Sequence, residues 1–202
     1  MASPSFLEEA SREVRPVYAQ ATFFVGLGYI AYYLIFDYVD PLGYYDAVLR
    51  NERLFDEEVG KLWANMQSFL DEEEVVVNGE RVRPRVVMID IGFRGSKKRP
   101  FIVFAIRFRA PVRPGLNVYE NRYEPEVAEY DYAAYWIFPP GTKVLEVDMG
   151  SGGESWDIVG KNIVAIYGRK GKRSGGYEKI VFEIPQTIAS VSGVERRDEE
   201  AE

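Results

Sequence analysis

Pro16 to Phe36 reads PVYAQATFFVGLGYIAYYLIF, a run of twenty-one residues without a charged side chain. Arg15 precedes the run and Asp37 follows it. A helix needs about 20 apolar residues to cross the hydrocarbon core of a bilayer, so the run predicts a transmembrane helix. The expected membrane anchor consists of its large apolar side chains: Phe23, Phe24, Val25, Leu27, Ile30, Leu34, Ile35 and Phe36.

The run also contains polar residues, among them Gln20, Thr22 and several tyrosines. A helix that is apolar on all sides is also found buried in a soluble core. This alternative describes a cytoplasmic, soluble α+β binding module for an anionic ligand, with the hydrophobic helix in its core.

Basic residues near the run favour one orientation in a membrane. Arg12 and Arg15 precede the run, and the next basic residue is Arg50. Because basic residues concentrate on the cytoplasmic side, the N-terminus is expected in the cytoplasm. The rest of the chain is then expected outside the cell membrane.

The composition excludes several kinds of chemistry. The chain has no cysteine and no histidine, which excludes disulfides, thiolate nucleophiles, histidine triads and histidine metal sites. The net charge of −7 argues against nucleic acid as a partner. Only three glutamines occur, a scarcity that resembles thermophile usage.

Asp40-Pro41-Leu42-Gly43 is expected to end the first helix, and a second helix is predicted from Tyr44 to Leu70. Its apolar residues recur at helical spacing: Phe55, Val59, Leu62, Met66 and Phe69. This stripe is expected to pack on the chain's own β-domain. The alternative is a self-associating coiled coil, although two to three heptads are marginal alone.

From Val75 onward the pattern changes to short apolar strands separated by turns. Asn78-Gly79 predicts a hairpin. The further predicted strands are 85–93, 101–109, 128–138, 143–148, 162–167 and 177–184, and 116–123 is left open as one more. Such spacing is typical of an antiparallel, immunoglobulin-like β-sandwich.

The predicted fold class is therefore α+β, with four segments: an anchor at 1–40, a helical connector at 41–74, a β-sandwich at 75–190 and a charged, flexible tail at 191–202. This layout resembles archaeal surface-filament subunits and other single-pass envelope proteins. The resemblance implies a non-enzymatic structural or assembly subunit of an envelope or membrane complex. Its expected partners are the lipid bilayer and other proteins, including copies of itself in a homo-oligomer or filament.

Charged residues fall in blocks. Residues 81–113 hold ten basic residues and one acid, whereas residues 118–160 hold nine acids and two basic residues. If the strands simply alternate, the two basic hairpin tips share one end and the acidic loops 118–127 and 149–157 share the other, unless 116–123 is an additional strand. The tips form the candidate interaction surface: Arg94, Lys97, Lys98, Arg99, Arg169, Lys170, Lys172 and Arg173. The alternative is a solvated surface without a partner.

Other candidate sites are weaker. The glycine-rich loop from Asp148 to Asp157 has three carboxylates and could hold Ca²⁺, but its spacing is not that of an EF-hand. Carboxylates that could serve glycoside hydrolysis are Glu124, Glu126, Glu129 and Asp131. The aromatic residues Tyr130, Tyr132, Tyr135 and Trp136 are expected in the core. No catalytic, cofactor-binding or metal-binding residue is predicted.

Overall fold

The computed structural model describes residues 3–187, so the predicted tail at 191–202 lies outside the described residues. The helices are α1 (Pro4–Glu13), α2 (Tyr44–Leu49) and α3 (Glu52–Glu72). The first strands are β1 (Arg15–Gly26), β2 (Tyr29–Val39), β3 (Glu74–Val77), β4 (Glu80–Val82), β5 (Arg85–Phe93) and β6 (Pro100–Arg109). The remaining strands are β7 (Gly115–Arg122), β8 (Asp131–Ile137), β9 (Lys143–Asp148), β10 (Ser155–Val159), β11 (Ile163–Gly168) and β12 (Tyr177–Ile184).

The uncharged N-terminal run is a β-hairpin, and the transmembrane helix predicted for it is wrong. Among residues 3–187, no helix has the length and apolar character needed to cross a membrane. The run is rich in aromatic and β-branched residues, which favour strands. Gly28 closes the hairpin with a φ of 78°, a backbone conformation that glycine adopts without steric cost.

Side chains of the hairpin alternate between two faces, as a strand requires. Val25 and Ile30, both expected in the membrane anchor, are buried in the protein core. Four more of the expected anchor residues pack against this core: Phe23, Leu27, Leu34 and Phe36. Phe24 points the other way and is 40% exposed. Ile35 pairs with Gln20 on this outer face. The anchor residues therefore form part of a protein core and its outer sheet surface.

Two sheets make up most of the described chain. The seven-stranded sheet has the order β10-β11-β8-β1-β2-β6-β5, and the five-stranded sheet has the order β4-β3-β7-β12-β9. The N-terminal hairpin lies at the centre of the larger sheet, where β1 pairs with β8 in parallel. Residues 15–39 therefore share a core with the later strands.

These observations correct the predicted fold class. Of the residues that the structure describes, 49% lie in strands and the rest include three helices. The predicted α+β fold with an immunoglobulin-like antiparallel sandwich is wrong, because the hydrophobic run supplies two central strands and a parallel pairing.

The predicted second helix is divided in two. Asn51 caps the N-terminus of α3, and its side-chain oxygen accepts a hydrogen bond from Leu54 N at 3.2 Å. The helix packs on the chain's own sheet, as expected: Gln67 accepts from Val86 N at 3.1 Å and donates to Pro84 O at 3.2 Å. This contact covers the start of the edge strand β5.

The later strands were largely predictable. β5, β9 and β12 have the predicted bounds, and β6, β8 and β11 are within three residues of them. The Asn78-Gly79 hairpin is confirmed, with positive φ at both residues. The segment left open at 116–123 is strand β7, and β10 was not predicted.

Candidate ligand cavity between the sheets

A cavity of about 460 Å³ lies between the two sheets and beside α3. Small side chains form its floor on the larger sheet: Ala19 and Ala21 of β1 and Ala134 of β8. Ala21 and Ala134 are direct neighbours across the parallel pair. The space exists because these inward positions of central strands, usually filled by large side chains, carry alanine.

Aromatic side chains surround the space above this floor. Those that line the cavity are Phe23, Tyr32, Phe36, Phe69, Phe108, Tyr119, Tyr123, Tyr130 and Tyr132. Helix α3 also contributes Met66 and Leu70. Phe69 is 64% exposed, and it therefore lies where the cavity meets the solvent.

Three polar side chains face the cavity from the smaller sheet. Glu73 directly precedes β3, while Asn121 on β7 and Glu178 on β12 are paired neighbours. Asn121 is 7% exposed, and its Nδ2 donates to Glu73 Oε2 at 3.1 Å. Because the carboxylate needs a donor, this bond fixes which end of the amide is oxygen. The remaining Oδ1 of Asn121 is buried without a hydrogen-bond partner.

The carboxylates of the cavity are held in an unfavourable electrostatic environment. Burial, followed by the charges of Glu73 and Glu154, raises the pKa of Glu178 to about 7. Burial also raises the pKa of Glu73, although the hydrogen bond from Asn121 opposes this. No lysine or arginine is among the residues that line the cavity, all of which belong to the described range. Glu73 also borders a smaller cavity, whose lining includes Arg81, Arg83 and Arg85. Within residues 3–187 no ion pair joins Glu73 to these arginines, so the carboxylates of the larger cavity are not ion-paired.

Glu154 positions one of the aromatic walls. Its Oε1 accepts from the hydroxyl of Tyr132 at 3.0 Å and from Gly175 N at 3.3 Å, while Oε2 is buried without a partner. Burial and the Glu154 carboxylate raise the pKa of the Tyr132 hydroxyl. Tyr132 therefore stays a neutral hydrogen-bond donor, and its ring is fixed at the cavity wall.

A second cavity of about 290 Å³ shares Tyr123, Tyr130 and Tyr132 with the first. Its lining adds three carboxylates from the preceding loop, Glu124, Glu126 and Glu129. These are three of the four residues considered above for glycoside hydrolysis. The fourth, Asp131, accepts from Arg169 Nη1 at 3.1 Å and from Lys170 N at 2.9 Å.

Phe101, which follows the first basic tip (Arg94 to Arg99), pairs with Asp37, and Gly168, which precedes the second (Arg169 to Arg173), pairs with Tyr132. Both basic tips therefore lie at the same end of the larger sheet. Four strand pairings separate them, roughly 19 Å at about 4.8 Å for each. Arg94 contacts Asp37 at 3.0 Å and Lys97 contacts Asp46 at 2.8 Å. The use of these tips as an interaction surface stays a prediction.

The expected separation of acidic and basic ends is wrong. Gly153 N donates to Arg173 O at 2.8 Å, and Val127 forms an isolated bridge with Arg173. The acidic segments at 124–129 and 149–154 therefore lie beside the second basic tip. The cause is strand β7, which reverses β8 relative to the simple alternation, whereas the additional strand β10 returns β11 to its expected direction.

The structure also bears on the metal site considered for the 148–157 loop and on the aromatic residues expected in the core. Across residues 3–187, no group of three acidic side chains is placed to hold a metal ion. In the 148–157 loop, Asp148 accepts from its neighbour Gly150 N at 2.9 Å and Glu154 turns inward. Trp136 is fully buried, as expected, whereas Tyr135 faces Tyr167 on the outer surface.

Glu73, Asn121 and Glu178 are not among the residues predicted from the sequence. A signal was present for Glu178, because it shares the inward face of its strand with Ile180, Phe182 and Ile184, all buried. A carboxylate in such a series marks a polar position inside the protein.

Comparisons with known proteins add no functional information. No family model matches the chain, and no curated protein matches it. Native yeast LTA4 hydrolase is 9% identical, with a TM-score of 0.33 over 86% of this chain and 29% of that one. Yeast LTA4 hydrolase in complex with bestatin is 9% identical, with a TM-score of 0.32 over 91% and 33%. The chain thus spans a third or less of those proteins, and a likeness of this size supports no argument.

Proposed function

We propose that this protein binds a small organic molecule in the cavity between its two sheets. The observation that carries the proposal is Asn121, a buried side chain that lines the cavity and whose Oδ1 has no hydrogen-bond partner. A buried polar atom without a hydrogen bond costs about 1–3 kcal/mol. A ligand that donates a hydrogen bond to it would recover that free energy.

The size and lining of the cavity support the proposal. Ligand sites are usually clefts of about 300–1,000 Å³, lined by apolar and aromatic side chains with a few polar groups. The volume of about 460 Å³ and the aromatic walls match this description. An acidic lining suits a ligand without negative charge. The anionic ligand of the alternative reading of the sequence would therefore bind at the basic tips, and that binding stays a prediction.

Filling the cavity tests the proposal. Wild-type protein is titrated with phenethylamine, phenethyl alcohol and phenylacetate, and chemical-shift changes are followed by NMR. We expect at least one compound to bind and Ala21→Leu to abolish that binding. Ala64→Leu, on the exposed face of α3, is the matched control and should bind as the wild type does.

Two results would overturn the proposal. One is that none of the three compounds binds at millimolar concentration. The other is that a folded Ala21→Leu variant binds as tightly as Ala64→Leu, because the compound would then lie elsewhere.

Binding in this cavity requires no enzymatic step, in keeping with the non-enzymatic role expected from the sequence. Assembly through protein contacts stays a prediction, without the membrane anchor that was expected to accompany it. The cytoplasmic location, which was the alternative, also stays a prediction.

A further inference from the structure

We infer that the cavity takes an organic cation with a primary ammonium group, whose N–H donors bond to Glu178, Glu73 and the Oδ1 of Asn121. The inference rests on the proposed function and specifies the class of ligand. It is argued from the hydrogen-bonding groups, the charge and the shape of the cavity.

The unpaired hydrogen-bonding atoms of Glu73, Asn121 and Glu178 are mainly acceptor oxygens, and the hydroxyls of the lining tyrosines can accept as well as donate. Asn121 directs one N–H of its amide to Glu73, and its Oδ1 has no partner. The Glu178 carboxylate makes no side-chain hydrogen bond or ion pair within residues 3–187. An ammonium group carries three donors and no acceptor, which complements this set.

The charge of the cavity points to the same class. Two carboxylates line it without a lysine or arginine in the same lining, and within the described residues neither forms an ion pair with the arginines of the neighbouring cavity that Glu73 also borders. A cation would compensate them. Tyr32, Tyr119 and Tyr123 present aromatic rings around the carboxylates, and an ammonium within about 6 Å of such a ring is attracted to its face. The acids of the second cavity would raise the local concentration of cations outside the shared tyrosines.

The shape of the cavity indicates what the ligand carries besides its ammonium group. Opposite the carboxylates lie Ala19, Ala21, Ala134 and Leu34, which favour a short alkyl or aryl group. A quaternary ammonium fits less well, because it has no N–H to donate to the buried Oδ1 of Asn121.

The experiment is calorimetric titration at pH 8 with n-butylamine, cadaverine and phenethylamine. Phenethyl alcohol and N,N,N-trimethylphenethylammonium are the comparison compounds. We expect at least one primary amine to bind at least ten-fold more tightly than the alcohol and the trimethylated cation. Equal binding of the amine and the alcohol, lost in Ala21→Leu, would overturn the inference while supporting the proposed function. Absence of binding by all five compounds would overturn the inference, and the proposed function would be overturned as well if phenylacetate also fails to bind.

Glu178→Gln removes the charge and keeps the shape. We expect amine affinity to fall at least ten-fold in this variant, so that the preference for the amine over the alcohol is lost. Glu183→Gln, on the exposed side of the same strand, is the matched control and should match the wild type. A Glu178→Gln variant that keeps its preference for the amine would overturn the inference.

The pH dependence supplies a readout that a purely structural role of Glu178 would not produce. The groups that face Glu178 are Glu73, Glu154 and the hydroxyls of Tyr32, Tyr119, Tyr123 and Tyr132. No basic residue is among the described residues that line the cavity. Wild-type affinity for an aliphatic amine should rise between pH 5.5 and 8 as Glu178 ionises. The rise should be smaller in Glu178→Gln, and an equal rise would count against the inference.

Discussion

The ring of Phe23 stacks on the indole of Trp136, with centroids 4.0 Å apart and planes 4° apart, across the parallel pair β1 and β8. Tyr119 of the smaller sheet approaches the same indole to 4.5 Å. Trp136 is fully buried, so the three rings join both sheets. The hydrophobic N-terminal run is therefore part of the core of this protein.

Phe23→Ala is expected to destabilise the protein by about 2–4 kcal/mol, since it deletes a partly buried aromatic ring that stacks on Trp136. Phe24→Ala is the matched control. Its ring is 40% exposed and makes an edge contact with Tyr33, so its loss should cost about 0.5–1.5 kcal/mol. The free energy of unfolding is measured with guanidinium chloride. A larger loss for Phe24→Ala would mean that the faces of β1 are assigned the wrong way round.

The prediction of a transmembrane helix for the N-terminal run is wrong for a physical reason. Its length and lack of charge suit a membrane helix, but a hairpin at the centre of a sheet is also apolar on both faces. The alternation of Ala19, Ala21 and Phe23 with polar residues and the glycine at position 28 indicated strands. The parallel pairing with β8 depends on contacts about 110 residues away, which local patterns do not contain.

Gly28→Ala and Gly60→Ala are expected to change stability in opposite directions. Gly28 has a φ of 78°, where an alanine is strained by about 1 kcal/mol. Gly60 is exposed in α3 with no atom within 4 Å of an added Cβ, so alanine there should stabilise by about 0.5–1 kcal/mol. Thermal unfolding of both variants checks this prediction. Stabilisation by Gly28→Ala would contradict the turn described here.

Asp40 connects the hairpin to the first helix that follows it. Its carboxylate is fully buried and accepts from Gly43 N at 2.8 Å, Tyr44 N at 2.9 Å and Tyr45 N at 2.9 Å. Asp40→Ala leaves these donors unsatisfied and should cost about 2–4 kcal/mol.

The control for Asp40→Ala is Asp56→Ala, an exposed helical position where a change within about 0.5 kcal/mol is expected. Chemical denaturation measures both variants. Equal losses would show that the network around Asp40 contributes nothing specific to stability.

The candidate site was less predictable than the strands. Runs such as 143–148 and 177–184 show their alternation in the sequence, and the turns between them contain glycine and proline. The cavity instead brings together Glu73, Asn121 and Glu178, which are up to 105 positions apart. They meet because β7 lies between β3 and β12 in the smaller sheet, an order that local periodicity does not specify.

Glu178→Gln is expected to change how stability depends on pH in the unliganded protein. The pKa of Glu178 is about 7 in the folded chain, against an ordinary value of 4.5. Between these values the folded state holds a proton that the unfolded state has released. Stability therefore falls as the pH rises from about 4.5 to above 7, by an amount on the order of 2 kcal/mol.

Glutamine does not titrate, so Glu178→Gln should be more stable than the wild type at pH 8 and of similar stability near pH 4.5. A weaker decline with pH should remain in the variant, because burial also raises the pKa of Glu73. Unfolding by urea at pH 4.5, 6 and 8 measures the difference, with Glu183→Gln expected to follow the wild type. A stability difference that stays constant across this range would mean that the Glu178 carboxylate is as well solvated in the cavity as in the unfolded chain.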